Sequence, residues 1–310
     1  MEKADISISI NFASYRSFPC QTVFILVKLP IPSQITYLKW ERQIRLEQNN
    51  TGIKIAVSGK GGVGKTTVSA ILAQLLAKDG LDVLAIDADS DANLASALGV
   101  EPDKAPLPLI GMKELIGQRT GSDPASVGQY FKLNPAVSDL PEKYWLKTGG
   151  VKLLVLGCIE RAGGGCACPE GAFLKALLAH SLLQRQEAII VDLAAGLEFM
   201  GRACVQGIDA LIVVVEPGSR SIETAMGIAN MAKAMSISTV AAFINKITDE
   251  SQVSTIKAQL GDIPILGSFG YETSIQSADL NREPVIGASD SLVSEISGAK
   301  DRLMTILGKK

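Results

Sequence analysis

The 310-residue sequence predicts an α/β fold: a mainly parallel, doubly wound sheet with helices on both faces, in a single domain. Three observations predict it. From Ile53 onward, short apolar runs of strand length alternate with stretches of helical periodicity, and the runs are apolar on both faces, as strands covered on two sides must be. A glycine-rich turn stands between the first such run and the first helical stretch. With 47% hydrophobic and 20% charged residues, the chain can bury the core of one large α/β domain.

Residues 1–52 differ in character. "SFPCQTVFILVKLPIPSQITYLKWERQIRLEQNN" mixes apolar and prolyl stretches and ends in a polar turn. A sheet of this kind opens with the strand that feeds its loop, so these residues read as an N-terminal extension to a domain spanning 53–310. Three descriptions compete for the extension: a poorly ordered segment, including a misassigned translation start; a docking segment; or an extra strand or helix packed on the sheet. Its longest uncharged apolar run, Thr22 to Val27, is far below the ~20 residues of a membrane-spanning helix. No secretory signal is evident, so the expected location is cytoplasmic, with no membrane partner.

Ile53 to Ser58 is the first strand, and Thr66 to Lys78 carries apolar residues at helical spacing. Between them "VSGKGGVGKTTVSA" fits the phosphate-binding pattern G-x-x-x-x-G-K-[ST] through Gly59, Gly64, Lys65 and Thr66. Glycines let successive backbone N–H groups converge on phosphate oxygens, Lys65 brings charge to the outer phosphates, and Thr66 offers a hydroxyl to Mg²⁺. The expected nucleotide cradle is therefore Gly59, Lys60, Gly61, Gly62, Val63, Gly64, Lys65, Thr66 and Thr67, and the fold a P-loop NTPase sheet.

The strand Val83 to Ile86 leads into "LAIDADSDANL", which places Asp87 and Asp89 just past its end. The run Lys152 to Leu156 forms the next strand, and Ala188 to Val191 ends in "VDLAAG" with Asp192. A carboxylate at such a strand end can hold Mg²⁺-bound water, and Gly196 leaves room for a terminal phosphate. Alone, each aspartate would equally suit a helix N-cap or a turn; beside an intact phosphate loop the metal role is favoured. Ala210 to Val215, Val240 to Ile244 and Ile265 to Ser268 complete the strands. After the second of these, "FINKITDE" resembles the guanine-reading N-K-x-D, but Thr248 occupies the fourth position and the aspartate comes one residue late. Asn245, followed by Lys246, can still serve adenine with one donor and one acceptor, so ATP is the expected nucleotide.

Net charge is −2, which gives no electrostatic footprint for nucleic acid. The one histidine, His180, excludes a multi-histidine metal site and reads as a packing or surface residue. Five cysteines, an odd number, suit thiols or metal ligands better than a disulfide framework.

The assembled residues resemble the deviant Walker A ATPases, the class of MinD, ParA, the nitrogenase iron protein and metal-cluster assembly ATPases. The resemblance spans Ile53 to about Leu307, and its most specific mark is "GKGGVGKTT", with Lys60 directly after the first glycine. It implies a homodimer in which Lys60 reaches the partner's nucleotide while Lys65 serves its own; the bland alternative is a solvated loop lysine. It further implies that Asp89 is the switch I residue positioning the attacking water and Asp192 the switch II residue near Mg²⁺. Asp89, Lys60 and Lys65 are then the catalytic set, and hydrolysis should be slow until dimerisation completes the site.

"RAGGGCACPEGAF" holds Cys166 and Cys168, two apart, with Gly163 to Gly165 and Pro169 to make the turn that presents both sulfurs together. Two thiolates under-coordinate a transition metal, but a two-fold dimer supplies two more. Four sulfurs could clamp Ni²⁺ in square-planar or Zn²⁺ in tetrahedral geometry. A redox couple or inert packing are the other readings of the pair. With "IDADSDANL", "VDLAAGLE" and "VVEPGSRSIETA", the pattern is similar to the CooC family, ATPases that mature carbon monoxide dehydrogenase by nickel insertion. The resemblance implies a nickel metallochaperone with that enzyme as client. The N-terminal extension departs from the family pattern. Two rivals remain: an iron–sulfur scaffold ATPase, usually marked by C-x-x-C, and a partitioning or positioning ATPase, which would want a basic surface or an amphipathic C-terminal helix. Cys20 lies in the extension; Cys158 and Cys204 read as packing thiols.

Overall fold

The computed structural model describes residues 52–123, 130–157, 168–180, 187–194 and 208–309, with the backbone alone at 175, 178–180 and 187. Residues 1–51, Cys158, Cys166, Gly196 and Cys204 lie outside the described residues, as does the His180 side chain.

Every apolar run expected to be a strand is one. The strands are β1 (Ile53–Gly59), β2 (Asp82–Ala88), β3 (Leu146–Thr148), β4 (Val151–Val155), β5 (Glu187–Leu193), β6 (Ala210–Val215), β7 (Thr239–Ile247) and β8 (Ile265–Gly270). They form one sheet in the order β3-β4-β2-β5-β1-β6-β7-β8. Among the described strands, only β3 runs antiparallel, on β4; the other neighbours are parallel. Its hairpin turns through Gly149 and Gly150, at φ 55° and 83°, the left-handed pair a two-residue primed turn requires.

Each face of the sheet buries its own core. Side chains alternate along a strand, so Ile53, Ile55 and Val57 of β1 point into one cluster and Ala56 into the other. The first cluster is closed by α1 (Lys65–Lys78), the short α2 (Leu94–Ala97) and, at the far end of the chain, the helix Asp290–Ile306. The second is closed by α3 (Lys113–Thr120), α4 (Leu140–Tyr144), α5 (Pro169–His180), α6 (Ser219–Ala234) and α7 (Ser251–Leu260). With α8 (Thr273–Asn281), the C-terminal helix becomes α9; Ser289 caps it by accepting from the Leu292 N–H, 3.1 Å. Its stripe Leu292, Ile296, Ala299 and Leu303 is buried in the first core. Among the described residues, no helix is long and apolar enough to cross a membrane.

Parallel strands all present their carboxyl ends to the same edge, where the sequence put its charged residues. Gly59 ends β1, Asp87 and Asp192 stand near the ends of β2 and β5, Glu216 follows β6, and Asn245 and Lys246 stand near the end of β7.

Candidate active site

The phosphate loop is shaped by close approaches that only glycine permits. At Gly59, φ is 150° and a Cβ would collide with the Val214 carbonyl on β6. At Gly64, φ is 100° and a Cβ would collide with the Asn245 amide. That amide occupies the vacated space: Asn245 Nδ2 donates to the Val63 carbonyl, 2.9 Å, tying β7 to the loop. The expectation from sequence assigned Asn245 to the base; in the structure its donor is engaged with the loop. Gly64 caps α1 without a side chain, so the helix's first N–H groups face the loop, where an anion is favoured. Lys65 is buried within the loop, with Nζ donating to the Lys60 carbonyl at 3.4 Å. Gly61 and Gly62 are exposed, Val63 is buried in the core, and Thr66 and Thr67 stand half-buried in the first helical turn.

Asp192 and Asp87 are paired in register across β5 and β2, and both are buried. Burial pushes the Asp192 carboxyl up to about 7, with the Asp87 charge adding to the rise and Thr66, Ser69 and Lys65 opposing it. Ser69 donates to Asp192 Oδ1, 3.0 Å. Oδ2 is buried without a hydrogen-bond partner among the described residues, although Thr66 acts on the same carboxyl. An unpaired buried carboxylate oxygen beside a loop threonine is what a hydrated Mg²⁺ ion would satisfy, so these residues fit the ion.

Asp87 does something the sequence did not disclose. Its Oδ1 accepts the Asp89 N–H at 3.1 Å and its Oδ2 the Leu94 N–H at 2.9 Å, so both oxygens brace the turn that carries Asp89. Burial raises its carboxyl to about 6 against those two hydrogen bonds. Asp89 itself is half-buried, its Oδ1 accepting from Asp91 N, 3.2 Å, and from Ser90 Oγ, 3.3 Å.

Glu216 is the residue that sequence reasoning missed. Its carboxylate lies 3.6 Å from Lys60 Nζ and 3.7 Å from Lys246 Nζ. Lys246 also donates to the Gly62 carbonyl. The only visible signal in the sequence was an acidic residue directly after a buried strand.

Of the cysteine pair, Cys168 lies within the described residues, just before α5. Its sulfur accepts the Gly171 N–H, 3.2 Å, in the helix's first turn. Among the described residues no group of three or more His, Cys, Asp or Glu could hold a metal ion.

A parallel α/β sheet with a phosphate loop after its central strand and carboxylates at the neighbouring strand ends defines a P-loop nucleoside triphosphatase. The model of the CobQ/CobB/MinD/ParA nucleotide binding domain matches residues 54–285. The carbon monoxide dehydrogenase accessory protein CooC of Rhodospirillum rubrum is 43% identical over 229 residues, covering 73% of this chain and 87% of that protein. An uncharacterized ATP-binding protein of Methanocaldococcus jannaschii is 37% identical over 236 residues, 75% of this chain and 91% of that one. In fold, the septum site-determining protein MinD of Pyrococcus horikoshii, solved with Mg-ADP, has a TM-score of 0.59 at 20% identity, covering 83% of this chain and 98% of that one. The chain belongs to the CobQ/CobB/MinD/ParA nucleotide-binding family; it is an ATPase and stands with the CooC type within that family.

Proposed function

We propose that the chain is an ATP-dependent metallochaperone: it dimerises around Mg²⁺-ATP, holds a metal ion between two copies of Cys166 and Cys168, and delivers nickel to carbon monoxide dehydrogenase in the cytoplasm, with slow ATP hydrolysis. The 43% identity to the CooC accessory protein carries the proposal.

Within each subunit, Lys65 and the first N–H groups of α1 take the phosphates. Thr66, and Asp192 through water, hold Mg²⁺, which when bound neutralises charge on the transferring phosphoryl group. Asp89 orients the attacking water; the transition state is loose, so it need not be a strong base. Asp87 keeps Asp89 in place through the Asp89 N–H. Lys60 reaches the partner's nucleotide, so that a triphosphate buried between subunits meets cations from both sides.

For the cargo site, the Gly171 N–H at the Cys168 sulfur supports a thiolate, since a helix N-terminus favours negative charge. Cys166, outside the described residues, supplies the second sulfur, and the two-fold axis doubles the set to four. Ni²⁺ is the cargo, with Zn²⁺ the alternative occupant. A partitioning or positioning ATPase is less well supported: the solved MinD and ParA structures share the fold alone, and the apolar stripe of α9 is buried.

The proposal is tested by loading the anaerobically purified chain with Ni²⁺ and counting ions per dimer. The ion should then appear in nickel-free carbon monoxide dehydrogenase when ATP is added. One ion per two chains with ATP-dependent transfer is expected; one ion per chain, or no transfer, would remove the nickel role.

A further inference from the structure

The carboxylate of Glu216 is shared by two lysines, one on the phosphate loop and one at the end of β7, with Lys60 Nζ at 3.6 Å and Lys246 Nζ at 3.7 Å. Its backbone is fixed, because the Glu216 N–H donates to Ser221 Oγ at 3.1 Å in the turn that starts α6. Lys246 is fixed as well: it donates to the Gly62 carbonyl from a residue at φ 59°, a conformation uncommon outside glycine. Of the three groups, Lys60 is the least committed, with its side chain 41% exposed and Glu216 its one charged partner among the described residues.

An acidic group beside a loop built for a triphosphate repels the ligand. It must therefore act on something other than the loop's own phosphates, and the group it touches is the lysine after the first glycine. A partly exposed pair at this distance is screened and weak, so an incoming polyanion can break it.

We propose that Glu216 is a positioning residue that holds Lys60 on its own subunit and releases it only when the phosphates of a partner's nucleotide compete for the ammonium group. The inference rests on the cross-subunit role given to Lys60 above. Glu216 then raises the threshold for ATP-driven dimerisation. A nucleotide with fewer phosphate charges, such as ADP, competes less well for Lys60.

The test is sedimentation of the full chain with a non-hydrolysable ATP analogue. Glu216→Gln keeps the shape and removes the charge; with one such pair in each subunit, the dimer should tighten about tenfold. Glu216→Asp, which keeps the charge, should stay close to the unmodified protein. Lys60→Ala should remain monomeric, and the double variant K60A/E216Q should be as monomeric as K60A. A Glu216→Gln dimer no tighter than the unmodified one would overturn the inference. So would a double variant that dimerises, because Glu216 would then act on the nucleotide and not through Lys60. If Lys60→Ala dimerises as well as the unmodified chain, the cross-subunit role itself falls and the inference with it, whatever Glu216→Gln does.

Discussion

Asp87 and Asp192 face each other in register on β2 and β5, two buried carboxyls raised to about 6 and about 7. They differ at the strand ends: Asp87 uses both oxygens on backbone N–H groups, whereas Asp192 Oδ2 has no hydrogen-bond partner among the described residues. One carboxyl braces a turn, and the other leaves an oxygen that a cation would satisfy.

The pH dependence of stability follows from Asp192. Its folded pKa lies above the unfolded value near ~4, so the stability contributed by its proton is complete below about pH 4 and is lost as pH rises through about 7. Asp192→Asn is neutral throughout. The nucleotide-free variant should match the unmodified chain near pH 4 and exceed it by about 4 kcal/mol at pH 8, on the order of ten degrees in Tm. Thermal melts across this range check it; a Tm difference that does not grow with pH would show that Asp192 does not titrate there. Mg²⁺-dependent ATP hydrolysis should be lost in the same variant.

Asn245 separates two roles for one amide. If it braces Val63, then Asn245→Ala leaves a buried carbonyl without its donor, at a cost of about 1–2 kcal/mol. Affinity for ATP and GTP should then fall together, about tenfold, when measured by titration calorimetry. A loss confined to ATP would return Asn245 to base recognition alone. Gly64→Ala should do more damage, since its Cβ would displace the same amide and the backbone there is left-handed.

Asp89→Asn keeps the shape of the turn but not the charge that orients water. The ATP-bound form should accumulate, with single-turnover hydrolysis slowed about 10²-fold or more. Asp87→Asn should differ in kind: the amide offers one acceptor where the carboxylate offers two, so either Asp89 N or Leu94 N loses its partner, and thermal stability should fall as well as rate. Unchanged single-turnover hydrolysis in Asp89→Asn would move the role to another group.

Strands buried on both faces announce themselves as continuous apolar runs, which is why β1, β2 and β4 to β7 were legible to within three residues at each end; β8, half-buried at four of its six positions, still carried a run. β3 was not: three residues at a sheet edge, two half-buried and one exposed, carry too little pattern, and only the Gly149–Gly150 pair marked its turn. The loop residues and strand-end aspartates were legible because their positions follow from local spacing. Glu216 on Lys60 and Asn245 on Val63 join residues distant in sequence, and a pairing that depends on which strands become neighbours has no local signature. The donor role of Asn245 is the sharpest case, because its amide fits only where Gly64 lacks a Cβ.

The cysteine pair gives the prediction with the widest reach. If each chain contributes Cys166 and Cys168 to a site on the dimer axis, thiols must ionise to coordinate, so Ni²⁺ binding should release protons into a weakly buffered solution. Cys168→Ala removes two of four ligands at once, along with the sulfur that accepts the Gly171 N–H. Nickel affinity should fall at least a hundredfold, while ATP binding, which uses the loop after β1, should survive. Metal and nucleotide should also be linked: whatever favours the dimer favours the completed site, and the gain in Ni²⁺ affinity from an ATP analogue must equal the gain in analogue affinity from Ni²⁺. Anaerobic titrations in both orders measure the two factors. Equal Ni²⁺ affinity with and without the analogue, or full affinity in Cys168→Ala, would place the metal off the dimer axis and leave the cysteines without a part in the ATP cycle.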